Sequence, residues 1–246
     1  MSITPDAFDC ADLATIDRLG AINPSKLYCP VCGLLAEKFR DGGTGDKKRK
    51  NAKCPKCGSL ERHRLLWIHM VNSVWPALPA GKKDFLHVAP EPFFVEILKG
   101  RPDVNYLSGD LMMSKSMLKL DLTDIPFWEA QLDLILCSHI LEQIPDDRVA
   151  MREMYRVLRP RGILLVMVPT YAEATYEDFS ITSPEERRRH FGQEDHVRKY
   201  GWDIQDRLAE CGFQVSAWPV AGSLDQRTTR LVAAGKRVIF TCRKPA

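Results

Sequence analysis

The sequence predicts an α/β protein: a doubly wound, Rossmann-like parallel sheet behind a small metal-stapled module. Three observations carry that expectation. Two C-x2-C pairs, YCPVCG at 28–33 and KCPKCG at 53–58, stand 21 residues apart. From residue 84 onward, short apolar runs alternate with stretches of helical period. Acidic residues close several of those runs, where open α/β sheets bind their ligands.

Bulk properties set the limits. The chain has 246 residues, 45% hydrophobic and 27% charged, as in an ordinary globular protein. Its longest apolar runs, such as residues 163–169, are strand-sized and far below the roughly 20 residues that span a bilayer. The N-terminal stretch carries acids and no apolar core, unlike a secretory leader. A cytoplasmic protein with no membrane contact is expected. The formal charge is +3; four metal-bound thiolates would add −4 and a zinc ion +2, leaving +1. That balance argues against a dedicated nucleic-acid binder, and the basic clusters at 47–50 and 187–189 are expected to be solvated faces.

Four segments are expected: an N-terminal helical segment (1–26), a zinc-ribbon module (27–60), a linking helix (61–80) and a large α/β domain (81–246). In the module, a two-residue gap lets both sulfurs of a pair turn toward one metal, and the following glycine permits the tight turn. Cys29, Cys32, Cys54 and Cys57 are therefore expected to close a tetrahedral, structural zinc site with no open position. Four thiolates also suit iron. Leu66, Met70 and Val74 recur at helical spacing, predicting an amphipathic helix that docks the module onto the next domain and stops at Pro76. Arg62, His63 and Arg64 are expected to make surface or interdomain polar contacts.

In the α/β domain, strands are predicted at 85–89, 104–107, 117–122, 132–138 and 163–168, with helices at 93–99 and 146–158, the latter capped by Asp146 or Asp147. The run LDLILCS at 132–138 is apolar throughout, as strands covered on both faces are. The strand tips are His87–Phe93, Gly109–Asp110, Asp121–Asp124, His139–Gln143 and Pro169–Tyr171. Asp110 follows Glu91 by 19 residues, placed to accept hydrogen bonds from a ribose. Asp121 is placed to accept from an adenine amino group.

The stretch LDLILCSHILEQIPDD and the following MREMYRVLRPRGILLVMVP resemble the class I methyltransferases. HFGQEDHVRKYGWDIQDRLAECGFQV together with CPKCGSLERHR resembles a bacterial subgroup with an N-terminal zinc knuckle, so the likeness covers roughly residues 27–243. The resemblance implies a seven-stranded sheet whose last two strands, 213–218 and 237–242, form an antiparallel hairpin. It implies S-adenosylmethionine as cofactor, with Asp110 on the ribose, Asp121 and Leu122 beside the adenine, and Ser138 and His139 near the methionine part and the methyl group. The sequence departs from the family's pattern in three places. The first loop, HVAPEPF, lacks glycine; there His87 and Ala89 line the approach and Glu91 could accept from the cofactor ammonium. Gln143 and Arg161 replace a histidine and a glycine.

The polar, aromatic segment 171–200 reads as a substrate lid. Within it, His196 is a candidate base with Asp195 as its orienter, and Arg198 a candidate anion clamp. Tyr200 is a further catalytic candidate, and Tyr171 and His190 are candidate substrate contacts. His139 is a second candidate base. These residues suit a methyltransferase acting on oxygen or nitrogen of a small molecule or glycan. The alternatives are an RNA- or protein-modifying methyltransferase that docks through its zinc module, and a non-catalytic cofactor-binding scaffold.

Overall fold

In the computed structural model, residues 6–43, 48–112, 116–219, 224–233 and 238–246 are described. Lys47 of the basic cluster and Arg237, the expected start of the last strand, lie outside them, as do the first five residues. The chain folds into two compact units. The first comprises Met1–Ala77, Pro92–Ile97 and Pro219–Arg237, so two stretches expected in the α/β domain belong instead with the cysteine module.

In the first unit, helices α1 (Ala7–Ala11) and α2 (Leu13–Ile22) precede two antiparallel ribbons. One pairs β1 (Leu27–Cys29) with β2 (Leu34–Ala36), the other β3 (Arg40–Gly42) with β4 (Arg49–Lys53). Asp12 begins α2 by accepting a hydrogen bond from the Thr15 amide. Helix α3 (Glu61–His69) runs into a π-turn, Met70–Val74. Its predicted amphipathicity is not found: His63 through His69 are all buried, so the helix is enclosed on every side. Trp67 is fully buried, its ring 5.0 Å from Phe8 and 5.4 Å from Phe94 of α4 (Pro92–Leu98), and its Nε1 donates to Ala7 O.

Arg64 corrects the expectation of a surface contact. It is 0% exposed, and its guanidinium donates to four carbonyls, those of Ala52, Ser59, Val232 and Ala233. A buried cation is tolerable where all three of its nitrogens donate, as they do here to backbone carbonyls. Those bonds tie the second ribbon to the C-terminal edge of the helix Gln226–Leu231.

The second unit is built on a seven-stranded sheet. In chain order its strands are β5 (Lys83–Val88), β6 (Val104–Asp110), β7 (Leu118–Lys119), β8 (Leu132–Ser138), β9 (Leu158–Met167), β13 (Gln214–Pro219) and β14 (Val238–Arg243). The spatial order is β13-β14-β9-β8-β5-β6-β7. The β5, β6, β7, β8 and β9 pairings are parallel, and β14 runs antiparallel to β9. All seven residues of β8 are buried, as its unbroken apolar run requires. Helix α5 (Asp147–Val157) packs Ala150, Met151, Met154 and Val157 into the core, with Leu86, Ile135, Leu164 and Phe240.

Three strand boundaries differ from expectation by three residues or more, the first being β6, which runs on to Asp110 rather than ending at 107. The third strand shrinks to Leu118–Lys119, and Asp121 instead bridges Asp124 in a turn. β9 starts at Leu158 rather than 163, because Leu158 already pairs with Leu132 across an irregular register step before Leu134↔Ile163. The segment read as a lid contains a small sheet: strands β10 (Thr170–Ala172), β11 (Tyr176–Glu177) and β12 (Arg198–Gly201) pair in the order β10-β12-β11, with α6 (Pro184–Phe191) between β11 and β12. Helix α7 (Ile204–Glu210) follows.

Candidate active site

Parallel register brings the tips of β5, β6 and β8 level, since Val88 lies opposite both Gly109 and Cys137. In the glycine-free first loop, Ala89 takes a φ of +47° and its amide donates to Gly109 O at 2.8 Å. It thus adopts the left-handed backbone that usually selects glycine. His87 is fully buried beneath it, its Nδ1 3.0 Å from Tyr106 Oη and its Nε2 2.7 Å from Glu91 Oε2. Glu91 is therefore oriented by His87. On β6, a Cβ at Gly109 would lie 2.5 Å from Leu120 Cδ2, so glycine lets this strand end close against the turn after β7.

Asp110 ends β6 half-exposed, with Oδ1 accepting from Met112 N at 2.7 Å. Asp121 is exposed, and its Oδ1 accepts from both the amide and the hydroxyl of Thr123. Those bonds, the hydroxyl's first, hold its carboxyl below the usual range. Leu122 is 4% exposed and belongs to the core beneath Asp121.

The tip of β8 concentrates unmet polarity. His139 has a φ of +59°, and its amide donates to Met167 O at 2.7 Å. Its Nδ1 lies 3.2 Å from Oε1 of Glu142, in the short 3-10 turn Leu141–Gln143. Ser138 Oγ, His139 Nε2 and Glu142 Oε2 are buried and have no hydrogen-bond partner among the described residues. Buried polar atoms are nearly always matched, so three orphans at the strand tip where α/β sheets bind ligands make it the candidate site. Glu142, 1% exposed, was missed by sequence reasoning. Its signal was an acid three residues beyond His139, directly after the apolar pair Ile140 and Leu141.

The lid residues divide. Tyr171 is 66% exposed on β10 with Lys199 Nζ 5.9 Å from its ring centre, and His190 Nδ1 sits 2.8 Å from Tyr176 Oη. His196 is buried, 3.9 Å from an exposed Asp195 carboxylate. Arg198 is not available as an anion clamp. It is 1% exposed and donates to Glu177 and to the carbonyls of Leu141, Ile144 and Pro145. Tyr200 is equally enclosed: it is 0% exposed and its hydroxyl donates to Asp147 Oδ2 at 2.7 Å. Burial and the neighbouring Asp147 carboxylate push its phenol well above the ordinary range, which removes it as a base.

Asp147 also accepts from Arg207 at 3.1 Å, and neither it nor Asp146 caps α5 through its side chain. Burial alone would raise the Glu177 carboxyl, but hydrogen bonds from Arg207 and Arg198 outweigh it and hold the group below its usual range. Two guanidiniums, two carboxylates and a phenol therefore make a structural network joining the lid to α5 and α7.

In the first unit, the donor atoms of Cys29, Cys32, Cys54 and Cys57 all lie within 4.8 Å of one another. Cys29 Sγ is 3.7 Å from Cys57 Sγ, and Cys32 Sγ is 3.7 Å from Cys54 Sγ. Sulfurs ~2.3 Å from an ion at the corners of a tetrahedron stand ~3.8 Å apart, so the cluster has the dimensions of a metal site. Ser59 Oγ lies 3.2 Å from Cys29 Sγ and 3.1 Å from Cys57 Sγ, where a hydroxyl supports thiolate charge.

Residues 95–166, which hold most of the sheet and the β8 tip, match the family model for a methyltransferase domain. This matched stretch, less than a third of the chain, resembles a methyltransferase domain. The chain's seven-stranded sheet is the Rossmann-like fold of such domains, and the match spans β6 to β9 of it. No curated protein matches the chain. Among solved structures, the [4+2]-cyclase SpnF is 14% identical with a TM-score of 0.51, covering 96% of this chain and 97% of that one. Phosphoethanolamine N-methyltransferase 2 of Haemonchus contortus, in complex with S-adenosyl-L-methionine, is 12% identical with a TM-score of 0.49, covering 73% of this chain and 53% of that one. The YcgJ protein of Bacillus subtilis is 15% identical with a TM-score of 0.46, covering 70% and 96%. At such identities the likeness is one of fold, and a cyclase on the same fold shows that the chemistry must be argued from the site. No helix among the described residues is long and apolar enough to cross a membrane.

Proposed function

We propose that the protein transfers a methyl group from S-adenosylmethionine to an oxygen or nitrogen of a small molecule or glycan, and that one structural zinc ion holds its N-terminal module. The observation that carries the first part is the group of orphaned polar atoms at the β8 tip, Ser138 Oγ, His139 Nε2 and Glu142 Oε2, inside the domain that matches the methyltransferase model. The left-handed Ala89 and the crowded Gly109 fit the cofactor as well, since both bring backbone close where it would lie. In this reading Asp110 accepts from the ribose hydroxyls, Asp121 from the adenine amino group above Leu122, and Glu91, held by His87, from the ammonium group. The cofactor supplies an electrophilic methyl group on a sulfonium. The chain's own residues orient the acceptor and take its proton, with His139 as the base at the β8 tip and Tyr171 and His190 on the acceptor side. His196 and Asp195 are the lid's remaining candidates for proton transfer. The zinc reading rests on the 3.7 Å sulfur separations and the absence of an open ligand position in a four-thiolate set.

Isothermal titration of the zinc-loaded protein with S-adenosylmethionine and S-adenosylhomocysteine tests the reading. Both are expected to bind, and Asp110→Ala to abolish binding with zinc content unchanged. Binding of neither overturns the enzyme reading and leaves a scaffold. Incubation of cell extract with the protein and methyl-labelled cofactor then tests the acceptor class. Label in RNA or protein, rather than in the low-mass fraction, overturns the small-molecule assignment.

A further inference from the structure

We infer that Glu142 is a positioning residue that holds His139 with its proton on Nδ1, so that Nε2 receives the acceptor's proton during methyl transfer. This deepens the proposed function and rests on it.

Three observations converge. First, Glu142 is a carboxylate with side-chain exposure of only 2%, and its ion-pair partner among the described residues is His139 Nδ1 at 3.2 Å. A carboxylate can only accept there, so the bond requires Nδ1 to carry the hydrogen. Nε2 is then an acceptor with a lone pair to offer. Second, that Nε2 is buried and unmatched among the described residues, as are the neighbouring Ser138 Oγ and the second Glu142 oxygen. A merely structural histidine–carboxylate contact would be expected to close its hydrogen bonds inside the fold. Third, His139 is held in the left-handed region at φ +59°, with its amide fixed to Met167 O. That conformation is costly for a side chain with a Cβ and persists where surrounding structure imposes it. It is imposed here at the carboxyl end of β8, where α/β sheets place their ligands.

The chemistry follows from this geometry. The acceptor's O–H or N–H bond breaks, its proton passes to Nε2, and its electron pair forms the new bond to the methyl carbon; the carbon–sulfur bond of the bound sulfonium would break in the same displacement, its electron pair staying on the sulfur of the neutral thioether that leaves. The imidazolium so formed keeps its Nδ1–H on Glu142, whose almost wholly buried negative charge offsets the new positive one. A buried carboxylate has no such task if the nucleophile arrives without a proton. The dyad therefore selects acceptors that must lose one, a hydroxyl or a protonated amine, over a thiolate or carboxylate.

The decisive measurement does not require the acceptor. Full-length, zinc-loaded protein with nitrogen-15-labelled histidine, saturated with S-adenosylhomocysteine, reports the His139 tautomer by NMR. The wild type is expected to show the hydrogen on Nδ1 and a bare Nε2. Glu142→Gln, whose amide carbonyl can still accept, is expected to keep that tautomer, whereas Glu142→Leu shifts the hydrogen to Nε2. A wild-type hydrogen on Nε2, or a tautomer unchanged in Glu142→Leu, overturns the inference. Affinity for S-adenosylhomocysteine is expected to stay within about twofold in both variants; a loss beyond tenfold would make Glu142 part of the cofactor site instead, and failure of the wild type to bind would sink the proposed function separately. With the acceptor identified by labelling, Glu142→Gln should lower kcat by ~100-fold with KM little changed, since general-base catalysis contributes about 10²–10⁴-fold.

Discussion

Ala89 and Arg198 illustrate what single residues do here. Ala89 holds a left-handed φ of +47° in the loop after β5. Such a conformation costs a residue with a Cβ roughly 1–2 kcal/mol, part of which glycine would forfeit through its greater freedom in the unfolded chain. Ala89→Gly is therefore expected to stabilise the protein by about 0.5 kcal/mol, read as a higher midpoint in urea, while S-adenosylhomocysteine still binds. A destabilisation above ~1 kcal/mol would show that the methyl group makes contacts outweighing the backbone cost. Arg198 looked like a substrate ligand because sequence cannot distinguish a cation aimed at solvent from one consumed by carbonyls. Its position at 1% exposure, with three carbonyl acceptors and Glu177, is a property of the fold.

Among elements, the join between the lid and the α5–α7 face carries the most concentrated electrostatics. Asp147 opens α5 with 3% exposure, facing Arg207, Arg198 and Tyr200. Removing one charge from a buried pair leaves its partners uncompensated and costs about 3–5 kcal/mol. Asp147→Asn is expected to lose that much in thermal or chemical denaturation. Asp146→Asn, at an N-cap whose side chain makes no capping bond, should stay within about 0.5 kcal/mol. Equal effects of the two substitutions would refute the network. The segment 171–200 stood out in sequence as a polar, aromatic stretch. Its three-stranded sheet was not, because β10 and β12 pair in parallel although residues 173–197 separate them, and the register shifts after Thr170.

At the scale of the molecule, the chain builds its cysteine-bearing unit from three separate stretches. Arg64 ties the carbonyls of Val232 and Ala233 to those of Ala52 and Ser59, and Ser59 in turn contacts two of the four sulfurs. A metal bound by the four cysteines would thereby be linked to the fold of segments 168 residues apart in sequence, as in small domains whose folding free energy is largely metal-binding free energy. Cys54→Ser is expected to reduce bound zinc from about one per chain to near zero and to open Met1–Ala77 to limited proteolysis. Full protease resistance without metal would show that the apolar packing around Trp67 suffices.

The elements set by local pattern were legible from the residues alone. The C-x2-C pairs have one efficient use in a reducing compartment, and the all-apolar LDLILCS run has one efficient place, the centre of a parallel sheet. The clustering of the four cysteines, the β5, β8 and α5 segments and the place of Asp110 at the end of β6 followed from such local constraints, whereas Asp121 lies in a turn beyond β7. What the sequence alone could not determine was which polar side chains face the site. Arg64, Arg198 and Tyr200 have the composition of functional residues, yet the fold encloses them. Glu142 sits in an apolar turn, yet the fold leaves its carboxylate with a histidine partner beside two other orphaned atoms. The physical reason is that hydrogen-bond satisfaction is a three-dimensional balance. Whether a buried donor or acceptor is matched depends on carbonyls and side chains from distant segments, and only the tertiary structure brings those together.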